Sequence, residues 1–146
     1  MRTIALGLLA AAVLAGPASG APAAPHLTPQ AAVTDYCAAW SVTDPAARER
    51  MLARVWAPGG VYSDPDPTYA VGAKALSEVI AKFQKGYPGA RFRCGAPQAH
   101  HNFMGVSWIL PKADGSPVTH GIDIYDMAPG GRIARIVGFF GDPPAP

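Results

Sequence analysis

The chain has 146 residues, which suits one domain with a single core. Hydrophobic residues make up 49% of it and charged residues 15%, a composition that argues against intrinsic disorder. The formal net charge is +2 and the basic residues are scattered, so neither a nucleic acid nor an anionic membrane is indicated as a partner.

Residues 1–20 have the pattern of a signal peptide. Arg2 supplies a positive charge, residues 4–15 form an apolar run shorter than the roughly 20 residues that span a membrane, and residues 18–20 are small enough for cleavage. We therefore expect a soluble exported protein, secreted or in the cell envelope, that begins near Ala21. Retention of the leader as an uncleaved anchor is the alternative.

An Ala/Pro linker at residues 21–27 is followed by two helix signals. Thr28 can cap the first helix and Pro29 fits its first turn, and Asp44 and Pro45 repeat this pattern for the second. In each helix, apolar residues recur at the spacing of one buried stripe. These stripes are Val33, Tyr36, Cys37 and Trp40, then Met51, Leu52, Val55 and Trp56.

Arg48 and the other arginines of the second helix are expected to face water. The Ala-Pro-Gly-Gly run at 57–60 ends that helix, and residues 61–64 are predicted to form a short strand. A third helix is predicted over 73–85, directly after Gly72.

Strand patterns dominate from Ala90 onward. Five strands are predicted at 91–94, 98–103, 104–111, 118–127 and 132–140. Helices followed by an antiparallel meander indicate an α+β domain in which three helices cover one sheet face. We place this domain at 28–141, with a C-terminal tail at 142–146.

Asp123 lies in an otherwise apolar strand. Such a strand places Ile122 and Ile124 on one face, with Asp123, Tyr125 and Met127 on the other. In a dry interior the carboxyl must find a donor or keep its proton, because desolvation raises its pKa. Asp123 is therefore a functional-site candidate, and a wet edge strand is the alternative.

Two further polar residues could complete a proton-transfer site with Asp123. Asp64 precedes a proline in a dense turn, and Tyr36 lies on the buried stripe of the first helix. Each also has a structural interpretation. Asp64 would then fix an Asx-type turn, and Tyr36 would be a core residue with a hydrogen-bonded hydroxyl.

Cys37 and Cys94 could form a disulfide in an exported protein. Such a bridge would close a long loop, worth up to about 4 kcal/mol in the chain-entropy model. Two separate buried cysteines fit the pattern equally well, because sequence does not show whether their Cβ atoms meet.

The histidines do not indicate a metal site. His100 and His101 are adjacent, so on one strand they point to opposite faces and cannot both bind one ion. No cofactor is indicated either.

Aromatic residues are available for a pocket wall or for the core. The pocket candidates are Trp40, Trp56, Trp108, Tyr125 and Phe139. Because Phe139 and Phe140 point to opposite faces of a strand, one can line a cavity while the other packs outside. Apolar residues on both faces suggest that a second subunit covers the outer face, so a homodimer is expected.

Short motifs occur in a recognisable order. They are Tyr36 to Trp40, Asp44-Pro45, Trp56-Ala57, Tyr62 to Pro65, Gly72, Pro88-Gly89, Phe92, His101, Trp108, Gly121 to Asp123 and the run 131–141. The order resembles the SnoaL-like polyketide cyclase branch of the nuclear transport factor 2-like superfamily, which also contains ketosteroid isomerases. The resemblance covers essentially the whole chain after the leader.

The resemblance implies a cone: a strongly curved antiparallel sheet whose concave face is closed by three helices around an apolar pocket. Against ketosteroid isomerases, Asp64 matches the general base, Tyr36 the oxyanion-hole tyrosine and Asp123 the neutral aspartic acid that donates a hydrogen bond. His101 matches a recurrent family position and is expected in the pocket, as a hydrogen-bonding group or as a structural histidine. Relatives also commonly dimerise.

Three classes of function remain open. One is an isomerase, cyclase or dehydratase that needs no cofactor and acts on a small, largely apolar carbonyl compound. The second is an exported carrier that binds such a molecule without turnover. The third is an accessory domain that uses its outer sheet face. An epoxide hydrolase is disfavoured, because the middle strand lacks the arginine that such relatives use.

Overall fold

The computed structural model describes residues 27–66, 68–112 and 114–145. The predicted signal peptide and nearly all of the linker lie outside these ranges, so both stay predictions. No helix in the described ranges combines the length and apolarity needed to cross a bilayer.

Three helices and seven strands make up the domain. The helices are α1 (Pro29–Ala39), α2 (Pro45–Val55) and α3 (Gly72–Gly86). The strands are β1 (Trp56–Asp64), β2 (Thr68–Val71), β3 (Arg93–Cys94), β4 (Gln98–His100), β5 (Phe103–Pro111), β6 (Pro117–Met127) and β7 (Ile133–Phe140). The chain is therefore α+β, as the sequence predicts.

Side-chain caps begin the first two helices where the sequence places them. The Thr28 hydroxyl accepts a hydrogen bond from the Ala31 amide at 3.2 Å, and the Asp44 carboxylate accepts one from the Ala47 amide at 2.6 Å. A proline follows each cap at the first helical position, where its missing N–H costs no hydrogen bond.

The sheet has the strand order β2-β1-β7-β6-β5-β3, and β4 also pairs with β5. It is curved and unclosed, and it is mixed rather than purely antiparallel, because β1 pairs with β7 in parallel. The remaining pairings are antiparallel. The parallel pair consists of β1, which follows α2 directly, and β7, the last strand of the meander, which runs beside β1 in the same direction.

The prediction for β1 and β2 is wrong in two respects. β1 begins at Trp56 and continues through the Pro-Gly-Gly run, and the prediction omitted β2. Gly59 has φ +71°, and the register against β7 shifts between Trp56 and Val61. The glycines therefore form an irregularity within the strand instead of ending it. At Gly60 a Cβ would lie 2.6 Å from Trp56 Nε1, so the indole needs a glycine there.

Arg48 also departs from the prediction. It is only 2% exposed, although the sequence places it in water. Its guanidinium donates to Ser77 Oγ at 2.9 Å, to the Val42 carbonyl at 2.8 Å and to Gln84 Oε1 at 3.1 Å. These bonds connect α2 to α3 and to the loop before α2, because a buried guanidinium must satisfy its donors.

We expect Arg48→Ala to lower the free energy of unfolding by about 2–4 kcal/mol, since it leaves buried acceptors without a donor. Urea denaturation measures the change. Arg50→Ala on the exposed side of α2 is the control and should change stability by less than about 0.5 kcal/mol. Equal losses in the two variants would contradict this role for Arg48.

Candidate functional site

A cavity of about 430 Å³ lies between the helices and the concave face of the sheet. Eight of its nineteen lining residues are aromatic, and four more are Cys37, Val79, Cys94 and Leu110, so most of the wall is apolar. The three predicted catalytic residues all line it: Tyr36 from α1, Asp64 from the end of β1 and Asp123 from β6. The structure thus brings together side chains from three separate elements.

The two carboxylate oxygens of Asp64 differ in their hydrogen bonds. Oδ2 accepts a hydrogen bond from the Tyr62 hydroxyl at 2.8 Å. Oδ1 is buried and has no hydrogen-bond partner within the described residues. Burial raises the pKa of Asp64, the Tyr62 and Thr68 hydroxyls oppose that rise, and the charge of Asp66 adds to it. Tyr62 therefore holds the carboxyl through Oδ2, and Oδ1 makes no hydrogen bond to the described part of the chain.

Asp123 is buried against two donors. The Trp108 indole donates to Oδ1 at 2.9 Å, and the Tyr125 hydroxyl lies 3.4 Å from Oδ2. Burial raises the pKa of Asp123 to about 7, the two hydrogen bonds oppose this rise, and the charge of Asp64 adds to it. Because an indole N–H only donates, Oδ1 acts as an acceptor, and the proton of the neutral acid belongs on Oδ2.

Gly138 separates the two carboxyls. It pairs with Asp123 across β6 and β7, and a Cβ there would lie 3.1 Å from Asp123 Oδ1 and 3.4 Å from the Asp64 Cβ. A side chain at this position would crowd both acids. At Gly121 a Cβ would overlap the Phe139 carbonyl and would lie 2.6 Å from the Trp108 ring. Both glycines make room for the acids and the indole.

Burial keeps three tyrosines protonated. It raises the pKa of Tyr36, Tyr62 and Tyr125, and the negative charge of a neighbouring aspartate raises each further. For Tyr36 and Tyr125 that aspartate is Asp123. The Tyr36 and Tyr125 rings meet edge to face, with centroids 5.7 Å apart. These hydroxyls can therefore act as hydrogen-bond donors at neutral pH.

Cys37 and Cys94 are joined by a disulfide. It links α1 to β3, and both residues line the cavity. The bridge closes a loop across a sequence separation of 57 residues, so it holds the first helix against the far edge of the sheet.

Four predicted pocket residues lie elsewhere. Trp56 stacks against Tyr36 with centroids 6.0 Å apart, outside the lining. Tyr125 is buried, and only its hydroxyl approaches the site. His101 is exposed in a turn, with φ +52°. Phe139 is 53% exposed on the outer face. Trp40 and Trp108 do line the cavity.

The sequence prediction missed several lining residues. Phe140, not Phe139, faces the cavity, because β7 turns its even-numbered residues inward near its end. Phe83 and Phe92, which the sequence did not single out as pocket residues, also form part of the wall. Tyr62 could have been found from its spacing, since it lies two residues before Asp64 on the same strand face.

The His100 and His101 rings approach each other, with Nδ1 atoms 3.4 Å apart, because His101 lies in a turn and not on a strand. Across the described ranges, no three His, Cys, Asp or Glu side chains gather in a manner suited to a metal ion.

The family model described as a SnoaL-like domain matches residues 33–136. The chain belongs to the SnoaL-like family. No match to a curated protein sequence was found. The solved structures that it resembles share the nuclear transport factor 2-like cone, which confirms the predicted fold.

Three of these structures are informative. A candidate isomerase of the SnoaL-like family from Agrobacterium tumefaciens is 32% identical, with a TM-score of 0.70 over 76% of this chain and 95% of that one. A candidate polyketide cyclase from Sinorhizobium meliloti is 20% identical, with a TM-score of 0.57 over 73% and 92%. A protein with a ketosteroid isomerase-like fold from Catenulispora acidiphila, in complex with trimethylamine, is 18% identical, with a TM-score of 0.61 over 77% and 85%.

The raised pKa of Asp123 makes stability depend on pH. The folded state holds the proton more tightly than the unfolded state, whose pKa is about 3.9, so the contribution of this group falls as pH rises from about 4 to 7. We expect wild-type protein to lose about 3 kcal/mol more than Asp123→Asn between pH 5 and pH 8.

Urea denaturation at the two pH values checks this expectation. Glu78→Gln, which removes an exposed carboxyl on α3, is the control and should follow the wild-type pH dependence. If Asp123→Asn also shows that dependence, burial of the Asp123 carboxyl does not cause it.

Proposed function

We propose that this protein binds a small, largely apolar carbonyl compound in the cavity and catalyses proton transfer next to the carbonyl. The observation that carries this proposal is that Asp64, whose Oδ1 is buried without a hydrogen-bond partner in the described ranges, lines the same cavity as Tyr36 and Asp123. A base needs a free oxygen, and such an oxygen is costly to bury without a use.

In the proposed reaction, Asp64 Oδ1 removes a proton from the carbon next to the carbonyl. Negative charge then develops on the carbonyl oxygen, where the Tyr36 hydroxyl and neutral Asp123 donate hydrogen bonds. The proton of Asp123 lies on Oδ2, because Oδ1 accepts from Trp108. Return of the proton to another carbon gives an isomerase, and loss of a leaving group gives a dehydratase.

The protonation states set the expected pH dependence. The reaction needs Asp64 ionised and Asp123 neutral. Because burial raises the pKa of Asp123 to about 7, turnover should decline as pH rises beyond 7. Tyr62 positions the base through its bond to Oδ2 and takes no part in the proton transfer.

We expect Asp64→Asn to lower the rate of α-proton exchange by at least about 10³-fold, and Tyr36→Phe by about 10²–10³-fold, as for loss of one oxyanion donor. The measurement is deuterium incorporation into a panel of cyclic ketones such as 2-tetralone, followed by NMR in D₂O. Asp114→Asn, in an exposed turn, is the control and should retain the full rate.

Full exchange activity in Asp64→Asn would contradict the assignment of the base. Ketones that bind tightly but do not exchange in wild-type protein would favour the second candidate, a carrier. The apolar cavity supports that function equally, because binding needs the wall and not the base.

We also propose that the protein is exported and forms a homodimer. The leader pattern and the disulfide support export, since disulfides persist in oxidising compartments. Exposed apolar residues on the outer sheet face support a dimer: Phe103, Val118, Ile122, Ile124 and Phe139.

Native mass spectrometry of protein from its secreted fraction should give a mature N-terminus near Ala21 and the mass of two subunits. Ile124→Lys, in the middle of the apolar outer face, should give one subunit. A wild-type monomer at micromolar concentration would contradict the dimer, and an intact leader would contradict cleavage.

A further inference from the structure

We propose that the same cavity also binds a small organic cation, a tertiary or quaternary ammonium whose alkyl groups contact the aromatic wall while its charge faces Asp64 and Asp123. This inference goes beyond the proposed function and does not require turnover. It concerns the state in which both acids are ionised, a state that the proton-transfer reaction does not use.

The first support is the charge of the lining. Asp64 and Asp123 line the inner part of the cavity, and the exposed residues Asp66 and Lys82 line it with opposite charges. Asp64 Oδ1 is buried and has no hydrogen-bond partner among the described residues. A cation supplies the missing charge there, since a buried carboxylate needs a partner.

The second support is the arrangement of the aromatic rings. Trp40 meets Phe92 with centroids 5.2 Å apart, Phe92 meets Trp108 at 5.3 Å, and Trp108 meets Phe140 at 5.4 Å. The successive ring planes cross at 76°, 89° and 87°. All four rings line the cavity, and an aromatic ring attracts a cation over its face through its quadrupole.

The third support is the set of groups that face Asp123. They are Tyr36 from α1, Tyr62 and Asp64 from β1, Tyr125 from β6 and the Trp108 indole from β5, while Gly138 of β7 has no side chain. None of these groups carries a positive charge. Ionised Asp123 therefore favours a cation, whereas neutral Asp123 favours an oxygen that gains negative charge.

The two ligand classes should respond to pH in opposite directions. The pKa of Asp123 is about 7, so both protonation states are populated near neutrality. Cation binding should strengthen as pH rises through this value, and binding of an oxyanion analogue should weaken. This opposition separates the present inference from the proposed function, because each can fail alone.

The experiment compares choline with 3,3-dimethylbutan-1-ol, a neutral molecule of nearly the same shape, by calorimetry at pH 6, 7 and 8. We expect choline to bind at least about tenfold more tightly than the alcohol at pH 8. Its affinity should rise about tenfold between pH 6 and pH 8, as the ionised fraction of a group with pKa about 7 does. The affinity for the alcohol should not change.

Variants show which groups are responsible. Asp123→Asn should abolish the pH dependence, and Asp64→Asn should weaken choline binding at pH 8, while both still bind the alcohol. Alcohol binding also shows that each variant is folded. Phe140→Leu should weaken choline binding more than alcohol binding, and Glu78→Gln, on the exposed side of α3, is the control.

Three results would each overturn the inference: choline and the alcohol binding equally at pH 8, a choline affinity that does not change between pH 6 and pH 8, or no choline binding at 100 mM. In each case, α-proton exchange of ketones would still test the proposed function independently.

Discussion

The site depends on the burial of two carboxyl groups on one concave sheet face, on either side of Gly138. In water both carboxyls would ionise readily. Inside the cavity each therefore needs a hydrogen-bond donor or must keep its proton. Asp64 receives a hydrogen bond from Tyr62, and Asp123 receives one from Trp108. Their environments differ enough to give one carboxyl a free oxygen and the other a pKa near 7.

The rest of the fold maintains this arrangement. The helices cover the concave face and exclude water, which raises the pKa of every buried acid and phenol. The Cys37–Cys94 disulfide joins α1, the element that carries Tyr36, to β3 near the edge of the sheet. Arg48 joins α2 to α3. The three helices are thus held in place by covalent and polar links as well as by packing.

Much of the fold could be predicted from local patterns. The caps at Thr28 and Asp44 begin helices as expected, and the alternation around Asp123 correctly places it inside. The errors arose where tertiary pairing overrides a local signal. The glycines at 59 and 60 are typical of a helix stop and a turn, yet pairing with β7 draws them into a strand.

The α+β class, the helix starts and the inward face of Asp123 follow from caps and periodicity, which are local properties of the chain, and the family follows from the order of its motifs. The choice of aromatic residues that form the cavity wall depends on how the strands pair and curve. Phe140 lines it and Phe139 does not, since register and sheet curvature set that choice. The proximity of Asp64 to Asp123 is likewise tertiary, because these residues come from β1 and β6 and approach each other only beside the strand between them.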